Sequence, residues 1–317
     1  MRLSLLPVLA LSLLLSACGG TSEQDAADAA AAAKAAREAK LAYEREVRDW
    51  RHERQERLLR PDGFLSLVGL HWLNPGATYV GSAQDNGTRL SLGPPQVGML
   101  DVRKDGTVTL RLADGAEVTV DGEPAKGTVT LVPDSQGKPT VVGFNRGDAS
   151  FVLIERGGRF ALRVRNAMAR TRTSFPGIDY FDIDPGFRFE ARFEPHPPGK
   201  TIDIVNMLGM VEPMANPGRV LFEKDGAQYS LEALDEGDGQ LFFVFADRTS
   251  GHQTYAASRF LYAKPAGPDG KVVLDFNRAY NPPCAYTPYS TCPMPPPENR
   301  LDLAVVAGEK KPLPFPE

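Results

Sequence analysis

Between residues 77 and 276 apolar and polar residues alternate with period two, and turn pairs punctuate the alternation at short intervals. Successive side chains of a strand face opposite ways, so such a run builds sheets with one dry face and cannot form the stripe of an amphipathic helix. Residues 107–112 alternate, and Asp114-Gly115 turns them toward 117–120. Asp121-Gly122 leads to 128–132, and Gly157-Gly158 joins 151–154 to 160–165. Lys224-Asp225-Gly226 joins 219–223 to 228–234. These are hairpin signals. Phe187-Arg188-Phe189-Glu190-Ala191-Arg192-Phe193 alternates strictly, which turns an aromatic face inward, and the apolar run 241–245 reads as a strand buried on both faces. Residues 259–263 and 271–276 complete the set, and no segment beyond residue 60 has helical periodicity. The expected fold is mainly β: an N-terminal helix followed by antiparallel sandwich or barrel-like sheets.

The N-terminus supplies the helix and an address. Arg2 precedes an apolar run over 3–15, too short to remain across a bilayer, and the run ends in Leu15-Ser16-Ala17-Cys18. This pattern resembles the bacterial lipoprotein signal, which implies removal of 1–17 and acylation of Cys18, palmitate included. Gly19 after the cysteine favours an outer-membrane, periplasm-facing location in the cell envelope, with the lipid as the membrane partner. Residues 18–40 read as an alanine-rich tether, and 41–60 as an amphipathic helix with Tyr43, Val47, Trp50 and Leu58 on one face. Its interleaved charges read as a solvated surface. Arg60-Pro61-Asp62-Gly63 ends it, because the residue before proline is pushed out of helical geometry. The expected division continues with an N-terminal β half over 61–170, a C-terminal β half over 171–310 and a tail over 311–317.

The C-terminal half carries an unusual connection between 271–276 and a second strand-like run, 301–306. It contains seven prolines together with Cys284 and Cys292, the two cysteines left once Cys18 is set aside. A loop of that length in a compact domain needs a reason to be there. An oxidising compartment favours a Cys284–Cys292 disulfide; two free thiols, or a metal or catalytic role, are the alternatives. Zinc would require two more ligands, and none of the four histidines lies beside the loop. A net charge of -4 without a lysine–arginine block gives nucleic-acid binding no electrostatic support. No cofactor and no metal is expected.

Familiar catalytic signatures are missing. There is no Gly-x-Ser-x-Gly elbow, His52-Glu53-Arg54-Gln55-Glu56 lacks the second histidine of a zinc-protease helix, and prolines precede Gly199-Lys200-Thr201 where a phosphate loop needs amides. His71, inside the apolar run 64–73, reads as a core or edge histidine. What remains is a polar constellation of Asp247, Thr249, His252, Thr254, Tyr255, Arg259, Asp275, Asn277, Asn281 and Asn299. One reading is structural: Asp275 and Asn277 cap loop amides, Asn281 starts the turn before two prolines, and Arg259 satisfies Asp275. The other is a cleft, with Asp247 or Asp275 as acid or base, His252 as a further base, and Arg259 with Asp275, Asn277, Asn281 and Asn299 holding a polar or anionic ligand.

Two resemblances bear on this. Val80-Gly81-Ser82, Asp85-Asn86-Gly87-Thr88-Arg89-Leu90 and Val120-Asp121-Gly122-Glu123 resemble parts of a forkhead-associated sandwich. Serine stands where its phosphothreonine readers need arginine, and 94–98 lack their serine and histidine, so a shared scaffold is all that is implied. Residues 42–310 resemble the bacterial family called domain of unknown function 1684. That resemblance rests on Pro61-Asp62-Gly63-Phe64-Leu65-Ser66-Leu67, Gly69-Leu70-His71-Trp72-Leu73, Phe175-Pro176-Gly177, Asp247-Arg248-Thr249 with Thr254-Tyr255, the run from Asp275 to Cys284, Thr291-Cys292-Pro293 and Glu298-Asn299. It implies the fold limits and the importance of the loop, and brings no activity. Three functions follow in order: a lipid-anchored envelope protein that binds a small polar or anionic ligand or maintains the envelope; a hydrolase-like enzyme using Asp247, Arg259 and Asp275; and a structural or interaction module presenting the 77–166 sandwich.

Overall fold

The computed structural model describes residues 20–316, with side-chain surroundings from residue 24 onward. The signal segment 1–17 and Cys18 lie outside the described residues. Helix α1 spans Gly20–Leu59, so the tether is helical as well. Its alanines have the highest intrinsic helix propensity, and no breaker separates them from the amphipathic part. The chain divides into two compact units, the second beginning at Val47. In the first, residues 24–42 are exposed. Among the described residues no helix is long and apolar enough to cross a membrane.

In the second unit, the last turns of α1 bury Val47, Arg54 and Leu58, with Trp50 half-buried. Arg54 corrects the expectation that the charges of this helix are all solvated. Gly63 closes the helix end by donating its amide to the carbonyl of Arg60 at 2.9 Å.

The strands that follow are β1 Leu67–Trp72, β2 Gly76–Gly81, β3 Thr88–Arg89, β4 Gly98–Val102, β5 Val108–Leu112 and β6 Thr119–Val120. Then come β7 Glu123–Pro124, β8 Thr128–Leu131, β9 Val141–Phe144, β10 Ala149–Arg156 and β11 Arg159–Asn166. They form a 6-stranded sheet, β1-β11-β10-β9-β6-β7, and a 5-stranded sheet, β3-β2-β4-β5-β8. Pairing is antiparallel except between β2 and β3. Val80, Leu100 and Leu110 of one sheet pack against Phe151, Leu153 and Leu162 of the other in one core, which makes a sandwich. The hairpin expected between 107–112 and 117–120 does not form. β5 pairs with β4 and β8, while β6 pairs with β9. Ala113 donates to the carbonyl of Val97 and Ala116 to that of Ala113, so the chain leaves one sheet at Asp114-Gly115 and enters the other.

The short helix α2, Arg170–Thr173, leads to β12 Arg188–Pro195, β13 Thr201–Val205, β14 Val211–Lys224 and β15 Ala227–Asp235. β16 Leu241–Phe245, β17 Arg259–Ala263 and β18 Lys271–Asp275 complete a 7-stranded sheet ordered β17-β16-β15-β14-β12-β18, with β13 on β14. The sheet curls until β17 and β18 touch, as a half-barrel would. The β14–β15 turn places Asp225 at φ 53° and Gly226 at φ 78°, the doubly positive turn that matches strand twist. β16 is buried throughout because the loop covers both faces of this sheet. Phe243 and Phe245 pack with Leu301, Val305 and Ala307, while Phe242 and Val244 pack with Cys292.

The strand expected at 301–306 is absent: beyond an isolated bridge between Ala246 and Arg300 the segment is irregular. Its backbone is satisfied by side chains instead of a neighbouring strand. The Val305 amide donates to Asp247 at 3.2 Å, and the Val305 and Ala307 carbonyls accept from Arg259.

Candidate functional site

Arg259 begins β17 and Asp247 follows β16, an adjacent strand, so the two side chains meet beneath the loop. Arg259 Nη2 lies 2.7 Å from Asp247 Oδ2, with the side chains 1% and 0% exposed. The guanidinium also stands over the Phe245 ring, 5.2 Å from its centroid. Burial pulls the pKa of Arg259 below its ordinary value, against the pull of Asp247. Asp247 Oδ1 takes the amide and hydroxyl of Thr249 at 2.8 and 2.7 Å, and that hydroxyl is 2.8 Å from Thr254 Oγ1. Every oxygen of the Asp247 carboxylate is therefore engaged inside the fold.

Asp275 is occupied elsewhere. Its Oδ1 caps a single turn by accepting from the Asn277 amide at 3.1 Å and from Asn277 Nδ2 at 3.2 Å, and Arg278 Nε is 3.4 Å from Oδ2. Asn277 in turn pins the backbone of Asp184, through Oδ1 at 2.9 Å and Nδ2 at 2.8 Å. The guanidinium of Arg259 thus serves Asp247, where the sequence suggested Asp275. Asn299 takes the amide of Glu232 at 2.7 Å and donates to the carbonyls of Glu232 and Val244 at 2.9 and 3.0 Å. It fills the gap between β15 and β16, which pair directly only at Leu234 and Phe242. His252 sits exposed in the turn after Asp247.

Asn281 belongs to a cluster that the sequence did not reveal. The buried Glu309 accepts from the Asn281 amide at 2.8 Å and the Tyr286 hydroxyl at 3.1 Å through Oε2, and from Arg54 Nε at 3.0 Å through Oε1. Arg54 donates further to the Asn281 carbonyl at 2.9 Å and stands 4.5 Å from the Tyr280 ring centroid. Burial opposes its charge, yet Glu309, Tyr286 and Tyr280 together raise its pKa above the ordinary value. Residues 47–59 are thereby tied to the C-terminal segment.

The expected disulfide is not formed; Cys284 and Cys292 are free thiols. Each sulfur accepts from the other residue's amide, Cys292 N to Cys284 Sγ at 3.3 Å and Cys284 N to Cys292 Sγ at 3.0 Å, and Ser290 Oγ lies 3.0 and 3.5 Å from Cys284 Sγ and Cys292 Sγ. Prolines and the Asn281 and Asn299 contacts order the loop without a crosslink. Among the described residues no group of three or more histidines, cysteines or acids is placed to hold a metal.

A further opening lies elsewhere, along β1. A cleft of about 410 Å³ is lined by Gly69, Leu70, His71, Ser82, Arg89, Ser91 and Tyr289, with Val68 and Leu90 as apolar floor. β1 ends its sheet, so one edge of its backbone has no strand beside it. His71 Nε2 is buried here without a hydrogen-bond partner among the described residues, and burial lowers its pKa. Its ring lies so close over Gly69 that an added Cβ there would be 2.8 Å from Nε2, so a residue with any side chain would displace the imidazole. None of the lining residues is acidic. The cue was available: a polar ring two residues from a glycine, in a run otherwise explained by core packing.

Fold and network define a mainly β protein in which a proline-rich crossover closes a curled sheet over buried arginine–carboxylate pairs. Residues 173–310 match the family described as "Protein of unknown function (DUF1684)", a description that assigns no activity. The match lies within the 42–310 span of the resemblance seen in the sequence. No curated protein matches the chain. A solved structure that does is the solution NMR structure of the uncharacterized protein from gene locus rrnAC0354 of Haloarcula marismortui. It is 34% identical over 44% of this chain and 78% of that one, with a TM-score of 0.37.

Proposed function

We propose that this is a lipid-anchored protein of the bacterial envelope that binds a small oxyanion-bearing ligand in the cleft along β1. The observation that carries the reading is the buried, unpartnered Nε2 of His71, whose residue lines a cleft together with Arg89, Ser82, Ser91 and Tyr289 and no carboxylate. A buried polar atom without a partner costs about 1–3 kcal/mol, which a ligand atom accepting or donating there would recover. Arg89 supplies charge, and hydroxyls with the open strand edge supply donors. Asp247 and Arg259 are spent on each other and on the backbone, which weighs against an acid–base role for them.

The anchor rests on Leu15-Ser16-Ala17-Cys18, and a Cys18→Ser chain should leave the membrane fraction. The binding reading is tested on the full chain in detergent by thermal shift with inorganic phosphate and acetate. At a hundred times its dissociation constant a bound ligand should add about 2.7 kcal/mol of stability. The shift should disappear in His71→Gln and Arg89→Ala. A shift of unchanged size in both variants would remove the cleft from consideration.

A further inference from the structure

Where the proline-rich loop meets β11, a buried arginine faces two thiols. Arg163 is 7% exposed, and among the described residues its one hydrogen bond is a long one, from Nη2 to Thr291 Oγ1 at 3.4 Å. Its Nε has no partner, and it makes no ion pair, among the described residues. Asp134, the acid whose charge acts on Arg163, is already held by two hydrogen bonds from Arg156, at 3.0 and 2.9 Å. An unpaired guanidinium withdrawn from water is costly unless an anion stands by. The loop residue after Thr291 is Cys292, and Cys292 and Cys284 share Ser290 and each other's amides. Cys284 is half-buried, whereas Cys292 is buried. Cys284 is therefore the more accessible of the two residues.

We propose that Cys284 is a nucleophilic thiolate and Cys292 its resolving thiol, forming a dithiol site that reacts with small hydroperoxides. The Cys284 thiolate attacks the distal peroxide oxygen and the O–O bond breaks. Cys284 becomes a sulfenic acid, sulfur is oxidised by two electrons, and hydroxide or alkoxide leaves and takes a proton from solvent. The Cys292 thiol then attacks the sulfenic sulfur, an S–S bond forms, and water departs with the Cys292 proton. An external dithiol returns both residues to the reduced state seen here. The reduced geometry fits the first step: the thiolate accepts from Ser290 and the Cys292 amide, with the Arg163 charge near.

The proton balance agrees. Cys284 is pushed down to about 6, by the Cys292 thiol first and then by Ser290, the Cys292 amide and Arg163, with burial opposing. Cys292 moves up, because Cys284 stands beside it and because it is buried. Arg163 itself is pulled down to about 10 by burial and by Arg156 and Arg165, and so stays charged at neutral pH. Tyr255, whose hydroxyl donates to the Cys284 carbonyl at 3.2 Å, is raised by burial and by the sulfurs, and remains a neutral donor. Arg163 acts through Cys284 and is a positioning residue. This inference stands apart from the β1 cleft and survives or fails without it.

The test uses the reduced full chain. Iodoacetamide labelling, read by peptide mass spectrometry from pH 5 to pH 9, should modify Cys284 ahead of Cys292, with a midpoint well below the ordinary thiol value of about 8.5. Arg163→Met should move that midpoint up, and Arg163→Lys should restore it. Equimolar hydrogen peroxide should join the two thiols in the natural chain, and in Cys292→Ser should leave a dimedone-reactive sulfenic acid on Cys284. If Arg163→Met does not fold, Ser290→Ala is read in its place and should also raise the midpoint. Equal labelling of both cysteines with a midpoint near 8.5, or a Cys292→Ser chain that takes no dimedone after peroxide, would overturn the proposal.

Discussion

Arg259 and Asp247 form a buried ion pair, 2.7 Å from Nη2 to Oδ2, that does the work of a missing strand. The same two side chains bind the amide of Val305 and the carbonyls of Val305 and Ala307, so the final segment crosses a sheet core without a ladder of its own. Removing one partner leaves the other charge buried and alone. Asp247→Asn and Arg259→Met are each expected to lose about 3–5 kcal/mol in urea unfolding. The double variant is expected to lose much less than their sum, because the two act as a unit.

Glu309 makes a second, separate tie. With Arg54 nearly excluded from solvent and Glu309 fully so, Glu309→Ala is expected to cost about 3–5 kcal/mol. The loss should be local first: amides of residues 47–59 should exchange faster with deuterium while those of β10 and β11 keep their protection.

Asn299 substitutes for sheet pairing between β15 and β16. Asn299→Ala would strand the Glu232 amide and two carbonyls, at about 1–3 kcal/mol for a buried unsatisfied group. Denaturant unfolding measures it, and Asn299→Asp should be no better, since a carboxylate cannot donate to the carbonyls.

These ties explain what could be read from the sequence. Period-two runs and Gly-containing turns located β10, β11, β14 and β15, because one buried face fixes strand register locally, and an unbroken apolar run located β16. The segment 301–306 looked like a strand because its composition is that of one, and only the position of Arg259 decides where its backbone bonds go. The 107–112 and 117–120 runs looked like a hairpin because Asp114-Gly115 is a turn in either case; which sheet the chain enters is a long-range choice. Asp275, Asn277 and Asn299 were recognisable as polar groups needing partners, yet their partners lie far away in sequence. Arg54, Arg163 and Glu309 were concealed, because a charge on a helix or strand reads as solvated until burial is known. His71 was explained by its apolar neighbours; Gly69 two residues earlier hinted at a ring packed on the backbone, but not at an unpartnered nitrogen.

The pH dependence of stability isolates His71. Burial lowers its folded pKa below the ordinary 6.5 of the unfolded chain. Between the two values the unfolded state binds more protons, so stability rises with pH there. The contribution is present above pH 6.5 and is lost as pH falls through the folded value. Urea midpoints from pH 4 to pH 8 should show a decline below about 6.5 that is weaker in His71→Gln.

The most direct measurement is a proton–nitrogen NMR titration of the full chain in detergent with inorganic phosphate, and separately with acetate. The His71 ring, the Arg89 guanidinium and the amides of Gly69, Leu70 and Tyr289 are expected to shift and saturate with one of the two, while the Arg259 guanidinium and the Thr249 amide stay where they are. Saturating shifts at Arg259 and Thr249 with a silent cleft, or a silent cleft with both anions, would contradict the assignment.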